Sequence, residues 1–321
     1  MDASKAFDRV NHCKLFDKLI DRGIPLIVVR LLYVWYSTQE FFVKWGHTFS
    51  ASFTVSNGVR QGGILSPTLF NIYIDELSKI LSLFKYTGCN LNGVSINHLV
   101  YADDTVVFAP SPSALQELID CCEKFAIDHD ILYNVKKTKI LCIKPKRLKD
   151  LHVPNFTLNG RYLCYVSTEK YLGYMVRDNF MDDTDIGRQL RAIYSRGNSL
   201  IRHFKCCTNE VKLQLFKSYC SNLYCGQLWC NYKSRSFSKI KVAYNNVFRS
   251  LMCLKRDTSI SKCMIDNNVD PFVVLRRKLV YGFRERVMSS RNKLVQAVTQ
   301  SLFFVTSTIN IAWCKVLYNF T

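Results

Sequence analysis

Leu99-Val100-Tyr101-Ala102-Asp103-Asp104-Thr105-Val106-Val107-Phe108 decides the reading of this chain. Two adjacent acids sit between short apolar runs, a pattern that predicts two strands joined by a tight turn with carboxylates at its tip. Like charges side by side on an apolar hairpin repel, and a cation between them removes the conflict. Hard carboxylate oxygens suit Mg²⁺ or Mn²⁺. Solvated acids in an ordinary turn are the plainer reading of the same stretch.

Four further blocks surround this one. The chain opens with Met1-Asp2-Ala3-Ser4-Lys5-Ala6-Phe7-Asp8. Between the acidic sites lies Asn57-Gly58-Val59-Arg60-Gln61-Gly62-Gly63-Ile64-Leu65-Ser66-Pro67-Thr68-Leu69-Phe70-Asn71. Asn134-Val135-Lys136-Lys137-Thr138 and Lys170-Tyr171-Leu172-Gly173 follow. In this order and at these separations the five blocks resemble motifs A to E of the reverse transcriptase of non-LTR (LINE-type) retrotransposons. The likeness spans residues 1–176.

That resemblance implies an α+β fold. Residues 1–176 would form a polymerase palm, a mainly antiparallel sheet with packed helices. Residues 177–321 would form a basic, α-helical thumb and C-terminal region. The implied activity is RNA-directed DNA polymerisation, with two Mg²⁺ (or Mn²⁺) ions as cofactors. The implied partners are an RNA template, a DNA primer and deoxynucleoside triphosphates. In the family a fingers region precedes motif A. The sequence begins one residue before Asp2, so the expectation is a chain truncated before the fingers. Two rival readings are a catalytically inactive remnant that only binds nucleic acid, and an RNA-dependent RNA polymerase.

The chemistry assigns roles along these blocks. In-line attack of a primer hydroxyl on a nucleotide α-phosphate needs carboxylates from separate strands at one point, to hold a metal pair. Asp2 and Asp103 are the candidate ligands and Asp104 the supporting one, the same three positions that the resemblance assigns. A frayed terminal acid is the plain alternative for Asp2. The backbone of Ala3, Ser4, Lys5 and Ala6 is expected beside the triphosphate, where N–H groups bind anionic oxygens. The resemblance makes Phe7 the ring that collides with a 2′-hydroxyl and so selects deoxynucleotides. An ordinary core Phe is its alternative. Gln61 and Gly62 let the backbone approach the base pair or template. Lys137 is the expected proton donor to pyrophosphate, or a phosphate clamp, with Lys136 as its rival. Tyr171, Leu172 and Gly173 resemble the primer-gripping hairpin. Asp8 reads as the cap of the following helix.

Charge divides along the chain. Of the net +19, residues 1–130 carry 11 Lys/Arg against 14 Asp/Glu, and the remainder carries 33 against 11. A near-neutral half that holds metal and a basic half that holds phosphates suit a polymerase. Arg188, Arg191, Arg196, Arg202 and Lys205, interleaved with Tyr194 and Phe204, are expected to line a helix that tracks a nucleic-acid backbone. Hydrophobic content of 48% marks a globular chain. The fourteen cysteines contain no Cys-x-x-Cys spacing and read as reduced thiols of a nuclear or cytoplasmic protein. No secretory signal or membrane span is visible.

Periodicity and punctuation predict helices over 9–22, from Pro25 to Tyr36, from Pro67 to Leu83 with Ser66 as cap, and from Ser113 to His129 with Ser113 as cap. Hairpins are predicted over 41–55 and 94–109, a strand over 139–144, and strands over 156–176 turning at Asn159-Gly160 and Gly173. From Asp183 the pattern is helical, with breaks near Thr208, Ser234, Asp257 and Asn267.

Overall fold

A computed structural model describes residues 1–144 and 153–318. Contacts divide the chain into two units, 1–140 with 153–165, and 141–144 with 166–318. The last three residues of the predicted strand over 139–144 fall outside any strand, which ends at Leu141.

In the first unit four helices supply the core: α1 (His12–Asp21), α2 (Leu26–Ser37), α3 (Ser66–Leu83) and α4 (Pro112–Asp128). Leu15, Phe16 and Leu19 of α1 meet Leu69, Phe70, Tyr73, Leu77 and Leu81 of α3, with Leu118, Ile119 and Phe125 of α4. Their spacing of three and four residues puts each set on one face. Each fully buried large side chain contributes about 1.5–3 kcal/mol. Lys18 with Glu76, and Arg22 with Asp75 at 2.6 Å, tie α1 to α3 at the surface.

The predicted caps need three corrections. Asn11, not Asp8, caps α1; its Oδ1 accepts from Lys14 N at 3.2 Å. Ser111, not Ser113, caps α4, because Pro112 takes the first helical position and leaves the residue before it extended. Ser66 is the first residue of α3, and its hydroxyl donates to the carbonyl of Arg60 rather than capping.

The strands form short antiparallel ladders. β1 (Glu40–Phe41) pairs with β4 (Phe53–Thr54), enclosing β2 (Lys44–Trp45) and β3 (Thr48–Phe49), which turn at Gly46-His47. β5 (Cys89–Leu91) pairs with β6 (Val94–Ile96), so the expected 94–109 hairpin is two hairpins. The acidic one joins β7 (His98–Tyr101) to β8 (Asp104–Val107). β9 (Lys139–Leu141) follows, then β10 (Thr157–Leu158) paired with β11 (Arg161–Tyr162) across Asn159-Gly160. β12 (Cys164–Val166) leads to β13 (Thr168–Tyr171), which pairs with β14 (Tyr174–Arg177). Every ladder among the described residues is two-stranded. The fold is thus a mixture of helices and small antiparallel sheets, rather than one broad sheet.

The second unit is helical beyond β14: α5 (Asp183–His203), α6 (Asn209–Tyr219), α7 (Ser234–Leu251), α8 (Ile260–Asp266), α9 (Phe272–Met288), α10 (Lys293–Thr299), α11 (Leu302–Val305) and α12 (Thr308–Tyr318). α5 and α7 cross so closely at Gly197 that a Cβ there would lie 2.3 Å from Val247 Cγ1. Ile186, Ile193, Phe216, Trp229, Tyr244, Phe248 and Phe272 fill the core. All fourteen cysteines are free thiols.

Candidate active site

The turn of the acidic hairpin is two residues long. Tyr101 pairs with Asp104 and Val100 with Thr105, leaving Ala102 and Asp103 at the tip. Ala102 has φ +52°, left-handed backbone at a position where two-residue turns prefer glycine. Such strain costs about 1–3 kcal/mol and persists where surrounding structure enforces it. The enforcement comes from the hairpin base. His98 is held between Ser78 Oγ and Asn97 Oδ1, both at 2.7 Å. Buried Asn97 donates to Leu81 O at 2.7 Å, which fixes the hairpin to α3. Burial holds the His98 imidazole below its ordinary pKa.

The Asp2 segment lies between two neighbours. Asp2 forms an antiparallel bridge with Asp104, and Ala3 one with Tyr133. Thr105 N donates to Met1 O at 3.3 Å on one edge; Asn134 N donates to Asp2 O and Ser4 N to Leu132 O, both at 2.8 Å, on the other. Asp2 N donates to the hydroxyl of buried Thr138 at 3.3 Å. Asp2 is therefore not a frayed terminal acid. Residues directly opposite in an antiparallel pair project from the same face, with Cβ atoms about 4.5–5.5 Å apart. Burial, then the Asp103 and Asp2 charges, push the Asp104 carboxyl above the ordinary range, while the amino terminus pulls it down.

Lys137 Nζ lies 3.8 Å from Asp2 Oδ2. It sits in a turn organised by Asn134, whose Oδ1 accepts from Lys136 N at 3.0 Å and Lys137 N at 3.2 Å. Thr138 and Asn134, which hold the Asp2 backbone, lie in the block that sequence reading singled out for its lysines. No three His, Cys, Asp or Glu side chains among the described residues gather into a metal-binding cluster. The donor chemistry nonetheless fits a hard divalent cation: all three groups are carboxylates, and the Asp103 and Asp2 charges, which add to burial in raising Asp104, are what a dication offsets.

The glycine block packs on the opening block through backbone. Val59 N donates to Phe7 O and Gly58 N to Val10 O, both at 2.7 Å. Gly58 has φ +94°, and a Cβ there would lie 2.8 Å from Asp8 O. Gln61 donates to Asp8 Oδ1 at 3.1 Å, which is where Asp8 is used. Phe7 is half-buried and stacks on Phe70, ring centroids 4.7 Å apart and planes 17° from parallel. Ala6 is core, while Ser4 is half-buried and Lys5 exposed, with φ +49° at Lys5. Gly62 has φ +81° and open space around it. A cavity of about 500 Å³ adjoins this junction, lined in part by Asp8, His12, Tyr36, Phe41, Arg60 and Gln61.

In the second unit Tyr171 pairs with Tyr174, and Leu172 and Gly173 turn the chain with φ +44° and +82°. Arg188 is committed to buried Asp185 at 2.7 Å, and Arg196 donates to Ala192 O at 3.1 Å. Arg191, Tyr194, Arg202 and Lys205 are exposed. The expected basic row of α5 and the residues just after it thus has at most three fully exposed members.

Residues 1–176 match the family model described as reverse transcriptase (RNA-dependent DNA polymerase). The chain is 33% identical over 120 residues to the retrovirus-related Pol polyprotein from the type-2 retrotransposable element R2DM of Drosophila melanogaster, covering 37% of this chain and 11% of that one. It is 29% identical over 181 residues to a Pol polyprotein from the type-1 retrotransposable element R2 of Nasonia vitripennis, covering 54% and 17%. It is 28% identical over 182 residues to the RNA-directed DNA polymerase from the mobile element jockey of Drosophila funebris, covering 55% and 19%. The matched stretches are thus less than a fifth of these relatives' own lengths.

Proposed function

This chain belongs to the reverse transcriptase (RNA-dependent DNA polymerase) family, and from that premise we propose that it extends a DNA primer on an RNA template as the polymerase of a non-LTR retrotransposon. The observation that carries this reading is the bridge between Asp2 and Asp104 with Asp103 in the adjoining turn. Residues 1–176 are then the palm and the basic, largely helical residues 177–321 the thumb and C-terminal region. Among the described residues no helix is long and apolar enough to cross a membrane.

Asp2, Asp103 and Asp104 would hold Mg²⁺ or Mn²⁺, which supplies charge neutralisation at the transferring phosphoryl group. The chain's own residues bind and orient. The backbone of Ala3 to Ala6 lies along the triphosphate. Phe7, its ring fixed against Phe70, excludes a 2′-hydroxyl from the sugar site. Gln61 and Gly62 support the base pair. Lys137 delivers a proton to pyrophosphate, and its approach to Asp2 supports that role over Lys136. Tyr171, Leu172 and Gly173 support the primer end. Arg191, Arg202 and Lys205 neutralise backbone phosphates.

The test is labelled-primer extension on an RNA template with Mg²⁺ and deoxynucleotides. Asp103→Asn should abolish extension, since an amide is a poor ligand for a hard dication. Extension surviving in the variant would remove the assignment.

A further inference from the structure

The turn at Leu172-Gly173 is held from outside its own hairpin. Tyr224 Oη donates to Leu172 O at 2.9 Å. The same ring occupies the space beside Gly173, where an added Cβ would lie 2.6 Å from Tyr224 Cε1. Leu172 and Gly173 both have positive φ, so this turn tolerates little change of residue or shape. One tyrosine thus bonds the turn's carbonyl and fills the gap its glycine leaves.

The backbone that carries Tyr224 is itself fixed. Gln189, buried on α5, donates to Tyr224 O at 2.7 Å. Leu223 before it is buried, and Cys225 after it is buried in left-handed conformation at φ +66°. One turn earlier on α5, buried Asp185 accepts from Met175 N of β14 at 3.2 Å. Residues four apart share a helix face, so one face of α5 sets both the second strand of the hairpin and the residue that holds its turn. Asp182, at the head of α5, accepts from the hydroxyl of Tyr174.

We propose that Tyr224 is a positioning residue for primer placement, locking the Tyr171–Gly173 turn in register with α5. This rests on the reading of that hairpin as the primer support. Tyr224 itself is half exposed, and its hydroxyl is spent on the turn rather than on the core. An uncommitted surface tyrosine would leave the turn free to flex by the loss of one hydrogen bond.

The full chain is tested with a primer–template whose primer ends in a photoreactive thymidine analogue. Trypsin releases residues 171–177 as one peptide, between Lys170 and Arg177. The native protein should crosslink to that peptide. Tyr224→Phe keeps the ring and deletes the hydroxyl; its crosslink yield should fall about three- to tenfold, the span of one neutral hydrogen bond. Gly173→Ala, which drives the ring away, should fall at least as far. In extension assays Tyr224→Phe should raise KM for primer–template by the same factor and leave KM for deoxynucleotide unchanged. A native crosslink that Tyr224→Phe leaves at full yield overturns the role of Tyr224 alone. A native protein that crosslinks only outside 171–177 overturns the primer-support reading, and the proposal with it.

Discussion

Asp2 and Asp104 face each other across an antiparallel bridge, so two carboxylates share one face of a strand pair. Tyr133 and Thr138 hold the far edge of the same segment. The pairing is structurally secure and electrostatically unfavourable, and most of what the site should do follows from that opposition.

Asp104→Asn should end primer extension and yet stabilise the fold. The Asp104 carboxyl is raised, by burial first and then by Asp103 and Asp2. A raised acid contributes stability below its ordinary pKa of 3.8, and that contribution is lost as pH climbs through the folded value. At neutral pH the ionised group therefore opposes folding. The variant should melt about 1–3 °C higher at pH 7, with the gap closing as pH falls toward 4. Magnesium should raise the native midpoint more than the variant's. Calorimetry over pH, with and without the cation, reads all three; a variant that melts lower at pH 7 contradicts the account.

Lys137→Gln should slow extension about 100-fold, the lower range for loss of a general acid. Lys136→Gln should stay within about threefold, as expected for an exposed side chain outside the chemistry. Single-turnover rates compare them. Equal losses would return the two lysines to the tie that sequence alone leaves.

Phe7→Val should admit ribonucleotides and weaken the first unit. Removing the ring opens the sugar site and also ends the stack on Phe70, a pair worth about 1 kcal/mol. Ribonucleotide incorporation together with a lowered melting midpoint is the expected signature. A lower midpoint with sugar discrimination intact would make Phe7 a packing residue only.

Replacing Arg191, Arg202 and Lys205 together by Gln should flatten the salt dependence of nucleic-acid binding. Three lost phosphate contacts reduce the log–log slope by about 2 to 3. The same change at Arg188 should lower stability instead, because its guanidinium partners Asp185, which is fully buried. Anisotropy titrations at several salt concentrations separate these outcomes.

Local signals in the sequence are honoured wherever the structure is local. The Ala102-Asp103 turn, α2, the turn at Gly46-His47 and the helix breaks at Thr208 and Ser234 stand where composition and punctuation put them. Asn92-Gly93, the strongest kind of hairpin signal, separates β5 from β6, and the single hairpin expected over 94–109 overlooked it. Proline geometry moved one cap from Ser113 to Ser111. Asp8 has the chemistry of a cap, but the short turn at Phe7–Arg9 delays α1 until after Asn11 and leaves Asp8 to Gln61. The hydroxyl of Thr138 on Asp2 N and that of Tyr224 on Leu172 O were beyond reach, because single long-range hydrogen bonds leave no periodic trace.

The pairing of Met1 with Thr105, 104 residues away, also sets a timetable for synthesis. At about 5–20 residues per second, the ribosome leaves the opening strand without either neighbour for on the order of ten seconds. During that interval α1, α2 and α3 can assemble through nearby contacts, while the strand that bears Asp2 waits with its edges open. The pairing of the strand that bears Asp2 is thus completed only after the helices that precede Asn134 exist, and a nascent chain halted before Asn134 would carry α1 to α4 with the far edge of that strand still open.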